Sequence, residues 1–271
     1  MSDAETASRP ARPVPWGRLP DPPLIVAHRG AAALWVENSL DAFARSLAAG
    51  WRAVEFDVHF TRDGVPVVIH DLTLDRTTDG SGPVADMDLA QLRRLRLKGT
   101  AGAMVPTLHE VLDLLRAEGG LAIVEVKFAA GTPLHARNCA ALTDVLQQAR
   151  MRERVTITAF DWRSIAEIAG SGAGFDLTGV LRAADVPDAA AATAWARRLK
   201  EMGGRQLLVQ HTAIDAAVVA ACAAEGIGLG AWTPNEAEDL ARLGAIGVDW
   251  IITDRPDRAP GWRAHPTGAN S

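Results

Sequence analysis

Eight short apolar runs alternate with amphipathic segments along almost the whole chain. The amphipathic segments carry apolar residues at helical spacing, and the apolar runs have the length of buried strands. Eight strand–helix units in 271 residues come close to the roughly 250 residues of a (β/α)8 barrel. We therefore predict an α/β fold of the (β/α)8 TIM barrel type. An open doubly wound sheet is the alternative, but no GxGxxG or P-loop motif supports it. The runs are LIVAH (24–28), AVEFDV (53–58), LAIVEVK (121–127), VTITAF (155–160), LTGVL (177–181), QLLVQ (206–210), IGLGAW (227–232) and WIIT (250–253).

A ninth apolar run, VPVVIH (65–70), follows the dipeptide Asp63-Gly64. Because Asp-Gly is a strong hairpin signal, we expect this run to fold back antiparallel on the second strand, as a β-hairpin extension of the barrel. A two-residue turn would place His70 opposite Asp57.

The domain organisation predicted from composition is simple. Residues 1–22 are polar and rich in proline without an apolar signal segment, which predicts a flexible leader. A single barrel domain follows at 23–260, and 261–271 form a tail. The formal net charge of −5 argues against a nucleic-acid partner, and no apolar run approaches the ~20 residues of a membrane span. We expect a cytoplasmic protein, in which Cys139 and Cys222 pack in the core.

Acidic side chains recur at alternate positions in two of the predicted strands. Glu55 and Asp57 share one face of the second strand, and Glu125 lies near the end of the third. Three carboxylates supply only oxygen ligands, which suit a hard cation such as Mg²⁺ or Ca²⁺ better than zinc. The simpler alternative is a set of ion pairs with Arg29 and Lys127.

Two histidines end predicted elements at the same rim of the barrel. His28 ends the first strand and His70 ends the hairpin, so the pair could act as general acid and base. Arg29 and Lys127 would match an anionic group, and phosphate is the natural candidate beside a metal. Trp232 could line a substrate groove. The residues alone therefore favour a metal-assisted phosphoester hydrolase.

Other polar residues are interpreted as structural. We interpret Asn38 as the cap of the following helix, and Asp71, Asp75, Asp79 and Asp86 as turn residues. The remaining histidines have no comparable partners and are interpreted as surface or supporting residues: His59, His109, His135 and His211.

The sequence resembles the glycerophosphodiester phosphodiesterase family, in its cytosolic bacterial form, from about Ile25 to Pro256. Motifs in the family's order and spacing carry the resemblance: AHRG (27–30), ENS (37–39), EFDVHFTRDGVPVVIHD (55–71), TTDGSG (77–82), PTLHEVL (106–112), VEVK (124–127), AWT (231–233) and DWIITDRP (249–256). The resemblance implies one divalent cation held by Glu55, Asp57 and Glu125. It also implies His28 and His70 as the acid–base pair, with Arg29, Lys127 and Trp232 binding substrate.

The implied reaction is metal-dependent hydrolysis of small glycerophosphodiesters, such as glycerophosphocholine or glycerophosphoethanolamine, to sn-glycerol 3-phosphate and an alcohol. The sequence leaves open whether the cation is Mg²⁺ or Ca²⁺ and which histidine is the base. Two other functions fit the same residues: a related barrel phospholipase acting on lysophospholipids, and a barrel that binds phosphodiesters without cleaving them.

Overall fold

The computed structural model describes residues 23–127 and 135–261. The predicted leader at 1–22 lies outside the described residues, as does the predicted tail at 261–271 apart from Gly261. None of the helices in the described ranges is long and apolar enough to cross a membrane.

Eight parallel strands close into a barrel, as predicted. The hydrogen-bonded order is β1-β9-β8-β7-β6-β5-β4-β2, and β1 also pairs with β2, which completes the ring. A short strand, β3, is added antiparallel to the outer part of β2. The strands are β1 Leu24–His28, β2 Ala53–Phe60, β3 Pro66–Val68, β4 Leu121–Val126, β5 Val155–Ala159, β6 Asp176–Leu181, β7 Gln206–Gln210, β8 Gly228–Trp232 and β9 Trp250–Thr253.

Helices lie in the connections and cover the outside of the barrel. Val54, Phe56 and Val58 of β2 are fully buried in the main apolar cluster that the helices share with the strands. Because side chains alternate along a strand, Glu55 and Asp57 point the other way, into the barrel. The helices are α1 Leu40–Ala48, α2 Leu89–Leu92, α3 Leu108–Glu118, α4 His135–Gln148, α5 Trp162–Gly170, α6 Ala189–Glu201, α7 Ala216–Ala224 and α8 Ala237–Ile246. Short 3-10 turns occupy Val84–Asp86, Arg152–Arg154, Ala183–Asp185, His211–Ala213 and Pro256–Arg258.

The hairpin forms as predicted, but its register differs from the prediction by one residue. Phe60 pairs with Pro66 and Val58 with Val68, and the amide of Ile69 donates to the carbonyl of Asp57 at 3.0 Å. Ile69, not His70, therefore lies opposite Asp57. The reason is a three-residue loop, 62–64, in which Gly64 takes a positive φ of 84° and the Thr61 hydroxyl accepts from the Val65 amide at 2.9 Å.

Helix starts follow local capping chemistry. Thr107 and Glu110 form the capping box that opens α3. At α1 the cap is Ser39, whose hydroxyl accepts from the Ala42 amide at 3.1 Å. The interpretation of Asn38 as a helix cap is therefore wrong, because Asn38 lies one residue earlier and turns its amide into the barrel.

Large apolar side chains fill the amino-terminal part of the barrel interior. Trp250 is fully buried there, in a cluster with Ile123 and Leu208. A Cβ at Gly230 would overlap the Trp250 ring, so glycine on β8 makes room for tryptophan on β9. Cys139 and Cys222 are both buried, as predicted. With that end of the interior packed, the open end lies at the carboxyl ends of the strands.

Asp176 is a buried carboxylate at the amino-terminal end of β6. Its side chain is 7% exposed, and the nearest cationic atom, Nε of Arg205, is 3.9 Å away. Burial raises the pKa of Asp176 to about 6, and Arg205 compensates only in part. Because the folded state binds this proton more tightly than the unfolded chain, the carboxylate lowers stability as the pH rises through 4 to 6.

We expect Asp176→Asn to stabilise the protein at pH 8 by about 1 to 3 kcal/mol, and by much less at pH 4.5, where Asp176 is already mostly protonated in the folded state. Denaturant unfolding at the two pH values measures the difference. Asp144→Asn is the matched control, because Asp144 is exposed on α4. An equal effect of Asp176→Asn at both pH values would contradict the prediction.

Candidate active site

Three carboxylates meet inside the barrel near its open end. Asp57 of β2 and Glu125 of β4 are register partners on adjacent parallel strands, and Glu55 lies two residues before Asp57 on the same face. One oxygen from each of Glu55, Asp57 and Glu125 lies within 4.8 Å of the others, and all three residues are buried. These three residues are called the acidic triad below.

Two cationic side chains neutralise part of this charge. Nζ of Lys127 lies 2.6 Å from Oε1 of Glu125 and 3.2 Å from Oδ1 of Asp57. Nε of Arg29 lies 3.2 Å from Oδ2 of Asp57. Although burial would raise the pKa of Asp57, Lys127 and Arg29 outweigh burial and lower it to about 2. The ion pairs considered as the simpler alternative therefore do form around Asp57.

Glu55 is the carboxylate that these ion pairs leave under-neutralised. Its Oε2 accepts from the Arg29 amide at 3.2 Å, but its buried Oε1 has no hydrogen-bond partner among the described residues. Burial and the neighbouring Asp57 raise the pKa of Glu55 to about 8. A buried cluster of hard oxygen ligands with an unpartnered oxygen fits a divalent cation, which would remove the cost of leaving these acids together. The acidic triad could therefore hold a metal ion.

His28 stands at the carboxyl end of β1, between two carboxylates. Its Nδ1 donates to Oδ1 of Asp254 at 2.6 Å, and its Nε2 lies 3.7 Å from Oε2 of Glu55. Burial opposes protonation of the ring, but Glu55 and the Asp254 hydrogen bond outweigh it, so the pKa of His28 is raised. Asp254 in turn accepts from the amide of Asn235 at 2.8 Å. The imidazole orientation is thus fixed by the loops after β8 and β9.

His70 follows the hairpin and has an acidic partner of its own. Its Nδ1 donates to Oδ1 of Asp71 at 2.7 Å, while its carbonyl accepts from Nε2 of His59 at 3.0 Å. Burial lowers the pKa of His70, although Asp57 and Asp71 oppose that shift. Asp71 is therefore more than a turn residue, because it orients the imidazole.

Arg76 joins the loop that carries His70 to the loop that carries Arg29. Its guanidinium contacts Asp71 at 2.6 Å through Nε, and it contacts Glu37 at 2.7 Å through Nη1 and 2.9 Å through Nη2. Glu37 also accepts from Nη1 of Arg29 at 3.2 Å. Hydrogen bonds from Arg76 and His70 hold the pKa of Asp71 well below its usual range. One guanidinium thus holds the partners of both His70 and Arg29.

The backbone after β1 is shaped to aim Arg29 inward. Arg29 itself has a φ of 50° and Gly30 a φ of 80°. A Cβ at Gly30 would press against the Ala42 and Phe43 side chains of α1, so the turn needs glycine there. Asn38, in the same loop, donates from Nδ2 to Oδ2 of Asp57 at 2.9 Å.

An aromatic wall completes the mouth of the barrel on the side of β5, β6 and β8. The Phe160 and Trp232 rings meet edge to face at 5.3 Å, and Nε1 of Trp232 donates to the carbonyl of Leu181 at 3.1 Å. The Arg182 guanidinium lies 4.6 Å from the centre of the Phe160 ring. These side chains and the charged residues enclose one cavity of about 280 Å³.

The structure brings all eight predicted site residues together. Seven line this cavity: His28, Arg29, Glu55, His70, Glu125, Lys127 and Trp232. Asp57 lies beneath them in contact with Arg29 and Lys127. Among the other histidines, His59 supports His70, whereas His109 and His211 pair with Asp113 and Asp239. The side chain of His135 lies outside the described residues.

Several residues around the site were not predicted to take part. Asn38, Asp71 and Asp254 each hydrogen bond a predicted site residue, and Glu37 and Arg76 link two of the loops. Glu37, Asn38, Asp71 and Asp254 lie inside the motifs ENS, HD and TDRP that carried the resemblance, which is the signal that could have identified them.

Comparison with known proteins identifies the family. Residues 28–258 match the glycerophosphoryl diester phosphodiesterase family. The chain belongs to this family. The family resemblance inferred from the motifs is therefore confirmed, and with it the prediction that the chain is a phosphodiester-hydrolysing enzyme. That it is of the cytosolic bacterial form stays a prediction.

Individual relatives agree in sequence and in fold. A glycerophosphodiester phosphodiesterase of Caldanaerobacter subterraneus is 32% identical over 86% of this chain and 95% of its own length. The solved structure of an Oleispira antarctica phosphodiesterase, in complex with the product sn-glycerol-3-phosphate, is 26% identical and superposes with a TM-score of 0.78 over 87% of this chain and 94% of that one. A Thermotoga maritima glycerophosphodiester phosphodiesterase shares the fold, with a TM-score of 0.69 over 86% of this chain and 95% of that one, at 24% identity.

We expect Glu55→Gln to raise the melting temperature in EDTA by a few degrees at pH 7 or above, because it removes a carboxyl group whose ionisation is opposed in the folded state by burial and by Asp57. The same substitution should reduce the rise in melting temperature that added Mg²⁺ or Ca²⁺ produces in the unchanged protein. Thermal unfolding with EDTA and with each metal measures both effects, and Glu118→Gln, at an exposed site on α3, is the control. A metal-induced rise as large in Glu55→Gln as in the unchanged protein would contradict a metal site at the acidic triad.

Proposed function

We propose that this protein hydrolyses small glycerophosphodiesters, such as glycerophosphocholine or glycerophosphoethanolamine, to sn-glycerol 3-phosphate and an alcohol in a metal-dependent reaction. One observation carries the proposal: two carboxylate-oriented imidazoles, two cationic side chains and an acidic triad face the same cavity. The site could thus bind a phosphodiester and supply a proton acceptor and a proton donor at once.

The acidic triad would hold the divalent cation, Mg²⁺ or Ca²⁺, which would supply positive charge to the phosphate oxygens as negative charge develops. Arg29 and Lys127 supply further positive charge from fixed positions, because each is tied to Asp57. These two side chains orient the phosphate with little reorganisation, since their geometry is set before substrate arrives.

Proton transfer is the task of the two histidines. One imidazole takes the proton of the glycerol 2-hydroxyl as that oxygen attacks phosphorus, and the other protonates the departing alcohol oxygen. The product of this step is a cyclic 1,2-phosphate. Water then opens the ring with the two imidazoles in reversed roles, which regenerates both protonation states. Asp254 and Asp71 keep the correct tautomers, because each accepts from Nδ1 and leaves Nε2 free for the reaction.

A lysophospholipid is the second candidate substrate, and an exposed leucine favours it. Leu72 follows His70-Asp71 and is 68% exposed. A large apolar side chain two residues after a catalytic candidate could contact an acyl chain at the rim, although Leu72 itself does not line the cavity.

The first test measures release of glycerol 3-phosphate from glycerophosphocholine by the purified protein with Mg²⁺, with Ca²⁺ and with EDTA. We expect release with at least one metal and almost none in EDTA. Choline release from lysophosphatidylcholine, assayed in parallel, separates the second candidate. Binding of either substrate without product, in a folded sample with either metal, would overturn the proposed hydrolysis and favour a binding barrel. Undiminished release in EDTA would contradict metal dependence.

The second test concerns the histidines. We expect His28→Ala and His70→Ala each to lower kcat by about 10²- to 10⁴-fold, the range that general acid–base catalysis contributes. Circular dichroism and thermal unfolding should remain close to those of the unchanged protein. His109→Ala is the matched control, because His109 is 62% exposed on α3 and, within the described part of the chain, pairs only with Asp113. Near-normal turnover of either site variant would refute the two-histidine mechanism.

A further inference from the structure

Arg182 is a charged residue at the mouth of the cavity that the proposed mechanism does not use. It follows the last residue of β6, and its backbone amide donates to Oδ2 of Asp185 at 2.8 Å, which fixes the start of the loop. Its exposed side chain lines the cavity together with the catalytic candidates. Among the residues that the structure describes, no carboxylate forms an ion pair with its guanidinium.

The contacts of Arg182 hold its charge over the aromatic wall. The guanidinium lies 4.6 Å from the centre of the Phe160 ring, a distance at which cation and ring attract. Phe160 is in turn held edge to face by Trp232. Nζ of Lys127 approaches the same ring at 5.9 Å. The Phe160 ring therefore already contacts two cationic side chains of the protein.

The position of Arg182 at the mouth suits contact with the departing alcohol. The acidic triad lies on β2 and β4. Phe160 follows β5, which pairs with β4, whereas Arg182 and Trp232 follow or end β6 and β8, farther around the mouth. Attacking and leaving oxygens stand roughly in line across a phosphorus that undergoes displacement. If the glycerol lies beside the acidic triad, the alcohol of the diester points toward Arg182.

We propose that Arg182 selects the alcohol part of the substrate, favouring diesters whose alcohol carries an anionic group and disfavouring those with a quaternary ammonium group. This inference rests on the proposed function. An anionic group would pair with a guanidinium that has no acid partner. A quaternary ammonium would be repelled by that charge and would find the Phe160 face already occupied.

The test compares synthetic glycerophosphodiesters in matched pairs that differ in charge but little in shape. One pair carries 3-hydroxypropanoate or its amide as the alcohol, and the other carries choline or its uncharged 3,3-dimethylbutyl isostere. The ratio of kcat/KM within each pair measures selection by charge alone. In the unchanged protein we expect a carboxylate-to-amide ratio of about ten and a choline-to-isostere ratio well below one.

Arg182→Gln should bring the first ratio to about one and raise the second above one, because it removes the charge and the nearer of the two cations on the Phe160 ring. Arg182→Lys should keep the preference for the carboxylate. Arg198→Gln is the matched control: its guanidinium also stacks on aromatic rings, at 5.4 Å from Trp162 and 5.1 Å from Trp195, but it lies on α6 outside the cavity. Arg198→Gln should leave both ratios unchanged.

Two results would overturn this inference while leaving the proposed function intact. One is a carboxylate-to-amide ratio near one in the unchanged protein, and the other is a ratio that survives Arg182→Gln. The first ratio is measured on the unchanged protein, so the inference can be refuted even if the Arg182→Gln protein does not fold. Absence of glycerol 3-phosphate from all four diesters, with either metal, would overturn both the inference and the proposed function.

Discussion

The parallel pairing of β2 with β4 is the constraint on which the site depends. It sets Asp57 beside Glu125, and the two-residue period of β2 adds Glu55 to the same face. Buried carboxylates this close together repel one another. Glu55 and Asp57 cannot turn away from Glu125, because that would break the strand alternation that buries Val54 and Phe56 on the opposite face. The acids at this end of the barrel therefore require neutralising positive charge, and Lys127 and Arg29 supply part of it.

The same demand for charge compensation organises the loops. Arg29 reaches Asp57 from the turn after β1, and Glu37 pairs with Arg29 there. Arg76 contacts both Glu37 and Asp71, and Asp71 in turn binds His70. A chain of ion pairs thus connects the buried acids to both the phosphate-binding candidate and a catalytic candidate. Most of these groups are only partly exposed, so their attraction is screened less than that of surface pairs. Preorganisation at this rim follows from electrostatics more than from apolar packing.

Much of the fold and the acidic part of the site could be predicted from the sequence, because both depend on local periodicity. All eight barrel strands were found from apolar runs, and the period of a strand placed Glu55 with Asp57. What failed depended on details finer than periodicity. A three-residue loop around Gly64 shifted the hairpin register, so that Ile69 took the place predicted for His70. Asn38 precedes a helix as a cap would, yet its amide binds Asp57.

The partners of the histidines show a different limit. His28 and Asp254 are 226 residues apart and meet only because β1 and β9 close the barrel. No local pattern encodes that contact. The sequence motif contained Asp254, but only ring closure explains why an aspartate must follow β9.

The rim is divided into two chemically different parts, and this division explains how one barrel can keep its chemistry while changing its substrate. Acids and their cations lie on β1, β2 and β4, where each charge depends on the others, so that a substitution there disturbs several ion pairs at once. Phe160, Arg182 and Trp232 follow or end β5, β6 and β8 and are joined by ring contacts and one backbone hydrogen bond. A change at Arg182 leaves the buried ion pairs around Asp57 intact. Residues that we propose to select the departing alcohol can therefore vary with little effect on those that we propose to act on the phosphate.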